Sequence, residues 1–369
     1  MTPSRRAPMG TLLTTTAILT LLGIMAVYSA SSFASMRDFA DGGSYHYLFG
    51  HLIRLAAGAG CALVAYAVPR RAWMLAAPAL YGISLLLLLM TVIPGFPMAP
   101  AIKGSSRWIL LGPISLMPSE LVRFTMILLV ASLATNSRLR SRDGRGFLGL
   151  VALGLVPAAL MLLQPDFAGA AYLTAVMVIV VYLAEARLAH IVLLVALLAA
   201  LGSMAVLSSE YRRARLLGYS DPSSNIESSN YQSNQSVIAL GSGGLRGRGL
   251  GRGRQQMGYL PEPFSDFVLA VVGEELGFLG TGVIMALLLF LCLAGWQIAQ
   301  SADSAFGQIA AGGLTASIAL GALIHSGVVT RLLPPTGTPL PMISWGGTNV
   351  IITLASIGFL ARIGREVRS

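Results

Sequence analysis

Charge is what this sequence lacks first. Only 11% of its 369 residues are charged, against 55% hydrophobic, and the mean hydropathy is +0.74. No water-soluble domain of this length covers its surface with so few charges, so the composition excludes one and leaves a polytopic membrane protein. Lysine is nearly absent. Lys103 stands alone, and the net charge of +10 is carried by arginine, whose planar fork grips phosphate at two points where lysine offers one charge. The plainer use of arginine is to set membrane topology, and the position of each one decides. Cysteine is scarce too: Cys61 and Cys292 both fall in apolar runs, which excludes a disulfide framework and a thiolate metal site. The four histidines, His46, His51, His190 and His325, have no ligand spacing, and no protein-built metal centre is expected. No glycine-rich stretch ends in Lys followed by Ser or Thr, which leaves out a Walker phosphate loop. Nucleic acid is not expected as a partner.

What is present is apolar length. A hydrocarbon core about 30 Å thick takes about 20 helical residues, and on that measure ten spans are expected. They lie near residues 10–30, 48–68, 73–93, 117–135, 147–163, 169–184, 189–208, 267–297, 306–328 and 344–361. The basic start MTPSRR is followed by no convincing cleavage site, so the first run is expected to remain as a helix. With the N-terminus inside, the cytoplasmic segments would hold twelve arginines, and the short outer loops only Arg37, Lys103, Arg107 and Arg331, which follows the positive-inside bias. The expected fold is an all-α polytopic membrane protein of ten transmembrane helices with both termini cytoplasmic. It forms one integral membrane unit over residues 1–369, with a large extracytoplasmic loop at about 209–266 between spans seven and eight.

That loop is too long for a passive connector. Residues 220–236 are polar and read as a surface loop or short helix, whereas GSGGLRGRGLGRGR places Arg246, Arg248, Arg252 and Arg254 among glycines that let a backbone come close to a ligand. A flexible linker with solvated charges is the alternative. Asp266 follows, at the start of the eighth span, and is the candidate catalyst; its alternative role is a helix N-cap. Between spans three and four lie Lys103, Arg107 and Trp108, the last either an interfacial anchor or a platform for a sugar. Glu120 and Arg123 share one face of span four as a capping pair or as ligand-binding groups. Asp166 sits at the turn between spans five and six, and Glu274 and Glu275 lie inside span eight, where acids are costly and face protein or a water-filled cavity. Helical geometry sets Glu274 about 80° and Glu275 about 180° from Asp266. The two cannot both share its cavity, and Arg123 is the expected charge partner at that depth. The last outer loop, LLPPTGTPLPMISWGG, is too rich in proline to be helical, and non-helical backbone there should wall the same outward site.

The ordered motifs resemble the SEDS proteins (shape, elongation, division and sporulation), which include RodA, FtsW and SpoVE. They are YSASS at 28–32, SSRWILLGP and MPSE within 105–120, QPDFAG at 164–169, QSVIALGSGGLRGRGLG at 235–251, GYLPEPFSDF at 258–267, GEELGFLG at 273–280 and GTPLPMISWGG at 337–347. The resemblance implies a peptidoglycan glycosyltransferase that polymerises lipid II at the outer face of the cell inner membrane, with a class B penicillin-binding protein as cross-linking partner. It puts the essential aspartate at Asp266 and the tryptophan of the RW motif at Trp108, with Glu262 in the Asp266 motif among the substrate-binding residues. The family's usual lysine is Arg123 here, its Tyr-Gly-Gly is Trp345-Gly346-Gly347, and its His-Thr before the aspartate is Phe264-Ser265. The histidine substitution removes a helper base. YSASS and QSVIALGSGG look more like FtsW and Thr336 more like RodA; the balance leans to FtsW.

The implied reaction is an inverting transfer. A sugar C4 hydroxyl attacks the anomeric carbon of a glycan linked to a lipid pyrophosphate, and undecaprenyl pyrophosphate leaves. Asp266 would take the proton, with the helix N-terminus favouring its ionised form. Arg107 and the arginines of 246–254 would meet the departing charge, and Mg2+ could arrive with the pyrophosphate, since phosphates recruit it without a protein cage. A flippase of lipid-linked precursors and a non-enzymatic scaffold of the division or elongation machinery are the two other classes of function.

Overall fold

The computed structural model describes residues 7–39, 43–100, 105–111, 114–135, 141–207 and 229–366. Seven helices precede the large loop: α1 (Ala7–Asp38), α2 (His46–Ala67), α3 (Arg70–Val92), α4 (Pro118–Thr135), α5 (Gly144–Leu163), α6 (Phe167–Leu183) and α7 (Leu188–Leu207). Four follow: α8 (Ser229–Gly243), α9 (Val268–Ser301), α10 (Ala305–Val329) and α11 (Gly347–Glu366). Among the described residues eight helices are long and apolar enough to cross a membrane, and Phe167–Leu183 and Leu188–Met204 are shorter apolar helices. A helix stands at each of the ten apolar runs. Where short polar side chains offer a cap, helices begin on them: Asp166 accepts from the Gly169 amide at 3.1 Å, and Ser304 accepts from Gly307 at 3.1 Å.

The interior is built from α4, α10 and α11, whose residues are mostly buried, while α2, α3, α5 and α7 turn large apolar side chains outward, as lipid-facing helices do. Small residues let backbones approach. A Cβ on Gly358 of α11 would overlap the Ala62 backbone of α2, and one on Gly58 would meet Leu354 at 2.6 Å. Without those glycines the two helices could not cross so closely.

Two elements depart from the sequence reading. Residues Ile109–Leu111 (β1) and Ile114–Leu116 (β2) form an antiparallel hairpin in the segment between spans three and four, for which no strand was expected, and the Met117 amide donates to Thr348 Oγ1 at 2.7 Å, tying it to α11. The second departure is in α9. It is broken at Gly277 (φ 69°, ψ −165°), a conformation open to glycine alone. Before the break, residues 267–275 are buried; beyond it, Phe278, Leu279, Val283 and Leu289 are exposed in lipid-facing fashion. The helix beyond the break, residues 278–301, is about 36 Å long, and Glu274 and Glu275 belong to the protein-buried segment before it. Their charges face protein, as acids within such a helix are expected to do.

Candidate active site

Asp266 lies in a turn, residues 261–267, that delivers the chain into α9. Glu262 adopts a positive φ of 51° and its carbonyl accepts from the Ser265 and Asp266 amides at 3.3 and 3.2 Å, so the turn closes on itself. Both acids are partly exposed. The N-cap position of α9 falls on Phe267, whose side chain makes no cap bond. The turn is held from behind by aromatic packing. Phe264 packs on Tyr47 of α2 at 4.6 Å and meets Trp345 edge-to-face at 5.5 Å, and its carbonyl accepts from the Trp345 amide at 2.9 Å. In front of Asp266 runs the proline-rich loop between α10 and α11: Asp266 Oδ2 lies 3.6 Å from where Gly337, at φ +69°, would carry a Cβ. The non-helical loop does face the aspartate, and glycine leaves the carboxylate its room.

Glu120 and Arg123 are both buried in α4 and form an ion pair. Glu120 also accepts from Asn349 Nδ2 of α11 at 3.1 Å, and the Arg123 guanidinium lies 4.2 Å over the ring of Tyr172, whose hydroxyl donates to the Ser317 carbonyl at 2.7 Å. This network joins α4, α6, α10 and α11. It also corrects the pairing expected of Arg123, which meets neither Glu274 nor Glu275. Arg107 pins the hairpin to the α5–α6 turn, through Asp166 Oδ1 at 3.4 Å and the Pro165 carbonyl at 2.9 Å. Trp108, beside it, is partly buried. Lys103 lies outside the described residues.

The glycine-arginine segment folds against α9. Its amides at Arg248 and Gly249 donate to the carbonyls of Glu274 and Glu275 at 3.0 and 2.9 Å, and the amides of Phe278 and Leu279 donate to Gly244 and Leu245 at 2.8 and 3.2 Å. A helix interrupted at Gly277 would leave these groups orphaned, and the segment supplies their partners. The carboxylates are satisfied the same way. Glu274 accepts from the Arg254 and Gln255 amides, each at 3.0 Å, and pairs with Arg248 at 3.2 Å; Glu275 accepts from the Gly251 amide at 3.0 Å and from Ser29 at 2.7 Å. The close approach these glycines allow is thus to α9. Arg246, Arg252 and Arg254 remain exposed. An apolar cavity of about 330 Å³ lies between α1 and α9, lined by Leu22, Leu250, Leu276 and Glu275 among others, but neither Asp266 nor the proline-rich loop borders it.

One cation escaped the sequence reading. Arg54 sits inside the apolar run of α2, with its guanidinium 4.2 Å over the Trp345 ring. An arginine within a span is itself a functional signal, and it was hidden because the run around it is otherwise apolar.

These features define a polytopic helical membrane protein with a carboxylate in a turn at one end of its bundle, under a non-helical loop. The comparison with known proteins places it further. Residues 10–369 match the family model described as cell cycle protein, FtsW/RodA/SpoVE, and the chain belongs to this family. It is 37% identical over 352 residues to the probable peptidoglycan glycosyltransferase FtsW of Geobacter metallireducens, covering 95% of this chain and 92% of that one. The probable peptidoglycan glycosyltransferase FtsW of Coxiella burnetii is 36% identical over 356 residues, covering 94% of each chain. Among solved structures, a chain of a peptidoglycan synthase complex with coordinated polymerization and crosslinking superimposes with TM-score 0.78 at 25% identity, covering 96% of this chain and 97% of that one. Thermus thermophilus RodA does so with TM-score 0.70 at 25% identity, covering 97% of each.

Proposed function

We propose that this protein is a peptidoglycan glycosyltransferase that polymerises lipid II at the outer face of the bacterial inner membrane, with Asp266 as general base. The observation that carries the reading is the setting of Asp266, a partly exposed carboxylate in a braced turn with its Oδ2 facing Gly337 of a non-helical loop, in a chain whose relatives are named for this activity. Ten helices would cross the membrane as one unit with both termini cytoplasmic, which brings the turn and the 330–346 loop to the outer side. The FtsW names of the relatives favour the division branch.

The chemistry follows from the parts. Asp266 Oδ accepts the proton of the acceptor C4 hydroxyl as that oxygen attacks the anomeric carbon, a contribution of about 10²- to 10⁴-fold. The N-terminus of α9 begins two residues on and favours negative charge at that point. The bond from the anomeric carbon to the pyrophosphate oxygen breaks, and undecaprenyl pyrophosphate leaves with both electrons of that bond. Arg246, Arg252 and Arg254 are candidates to meet its charge; Arg248 is committed to Glu274 and Arg107 to Asp166. Mg2+ would enter with the pyrophosphate and be held mainly by it, since phosphates recruit the ion without a protein cage. A class B penicillin-binding protein is the proposed partner, in keeping with the likeness to a chain of a polymerizing and crosslinking complex.

The test is lipid II polymerisation by the purified protein with its penicillin-binding partner, comparing wild type with Asp266→Asn at equal folding. Glycan strands from wild type and a loss of about 10²-fold or more in the variant are expected. Equal strands from both remove Asp266 as the base. Strands from neither, with labelled lipid II still crossing vesicles that hold the wild type, replace the enzyme with a transporter.

A further inference from the structure

Among the described residues Arg54 is a cation without a counter-charge. No carboxylate among the described residues pairs with it, and its Nη1 is buried with no hydrogen-bond partner. The residue as a whole is partly exposed, so the cost falls on Nη1, a donor left unmatched away from water. The side chain runs back along α2 towards its outer end, with Nη1 3.4 Å from where Gly50 would carry a Cβ and Nε 3.5 Å from the equivalent point on Gly347. Gly347 is the first residue of α11, so the guanidinium lies against a helix N-terminus, where amide donors await an acceptor. Ser115 of the hairpin closes on the same point, its Oγ 3.7 Å from the Gly347 Cβ position. One turn before Arg54 on the same side of α2, His51 is fully buried and neither ring nitrogen has a partner. A second unmatched polar side chain therefore stands beside the first.

Donors converge here from three elements, α2, the hairpin and α11, and no acid answers them: Glu120, the acid bonded to Asn349 of α11, is already paired with Arg123. The Trp345 indole that carries Arg54 is fixed on both sides, by its Nε1 bond to the Tyr47 carbonyl at 3.1 Å and its amide bond to the Phe264 carbonyl at 2.9 Å. Phe264 is two residues from Asp266, so one aromatic ring separates the unmatched cation from the Asp266 turn.

We propose that Arg54, Ser115 and the N-terminus of α11 form a phosphate subsite that holds the pyrophosphate of the lipid-linked sugar, or of the lipid that leaves, at the inner end of the Asp266 turn. The subsite rests on the glycosyltransferase reading for its ligand. It is placed for one: α2 turns Leu52 and Ile53 outward, so a tail could continue into lipid while the charge stays under the hairpin. Bound pyrophosphate would supply the counter-charge the fold withholds, and Arg54 would act as a binding and positioning residue, leaving proton transfer to Asp266.

The experiment uses the full chain in phosphatidylcholine nanodiscs, titrated with undecaprenyl pyrophosphate, with undecaprenol, and with phosphatidylglycerol. Wild type is expected to bind undecaprenyl pyrophosphate, and Arg54→Gln to bind it about tenfold or more weakly with undecaprenol binding unchanged. Arg54→Lys should recover part of the loss and Ser115→Ala should show a smaller one. In polymerisation the KM for lipid II should rise in Arg54→Gln more than kcat falls. Unchanged pyrophosphate binding in folded Arg54→Gln overturns the proposal, as does an equal loss for undecaprenol. Displacement of undecaprenyl pyrophosphate by phosphatidylglycerol at matched concentration overturns it in favour of an annular lipid site. The two readings fail separately. Polymerisation that ignores Arg54 leaves the enzyme standing and removes the subsite; Arg54-dependent binding by a chain that makes no glycan leaves the subsite and removes the enzyme.

Discussion

At the scale of single residues, the structure separates groups that look alike in sequence. Gly337 stands at φ +69° with Asp266 Oδ2 3.6 Å from its Cβ position. Gly337→Ala would cost about 1–2 kcal/mol in backbone strain and set a methyl group against the carboxylate. We expect lipid II polymerisation to fall further than thermal stability does, as measured by rate and by melting in detergent. Glu274 and Arg248 form an ion pair of unequal members, the acid buried and the arginine side chain 38% exposed. Arg248→Ala should cost under about 1 kcal/mol because its charge is solvent-screened. Glu274→Gln should cost about 1.5–3 kcal/mol, since it weakens charge-assisted bonds from the Arg254 and Gln255 amides. Melting temperatures of the two variants check the order. The position of Asp266 in a turn before α9 was legible from its motif, whereas the placing of Arg54 over Trp345 was not, because a single arginine does not disturb a hydropathy window about 20 residues wide.

At the scale of elements, the apolar runs were easy to read and the interruptions were not. Apolar length located a helix at each of the ten expected runs but not the polar α8, because burial in lipid or protein needs little more than a run of the right size. The break in α9 was missed since Gly277 sits in a segment, GEELGFLG, whose neighbours on both sides are good helix formers. The hairpin was missed because its two strands are three residues each, too short to show an alternating pattern. The partner of the broken helix, residues 243–249, is distant in sequence, and no local pattern reveals it. Gly277→Ala tests the break: its Cβ would fall 2.6 Å from the Leu245 carbonyl carbon and closer still to the Gly247 amide. Backbone cannot yield as a side chain tip can, so we expect a loss of about 3 kcal/mol or more, seen as poor yield and a collapsed thermal transition.

At the scale of the whole molecule, the packing order sets what can face lipid. With α4, α10 and α11 inside and α2, α3 and α7 turning apolar side chains outward, the Asp266 turn stands at one end of a bundle whose outer helices are dressed for lipid. Topology carries a direct test. In a background with Cys61 and Cys292 replaced by Ala, a cysteine at Thr336 should react with an impermeant maleimide in intact spheroplasts, and one at Ser304 only after lysis. The reverse pattern would put the Asp266 turn inside the cell and end the lipid II polymerase reading.

The bonds across Gly277 carry one more consequence. The carbonyls of Glu274 and Glu275 and the amides of Phe278 and Leu279 are closed by residues 244–249 instead of by their own next turn. The cooperative unit at this end of the molecule is therefore discontinuous in sequence. Residues 274–279 of α9 and the chain some thirty residues before them protect each other's amides and open together or not at all, so the helix that the Asp266 turn leads into is held in part by a glycine strip that precedes that turn in the chain.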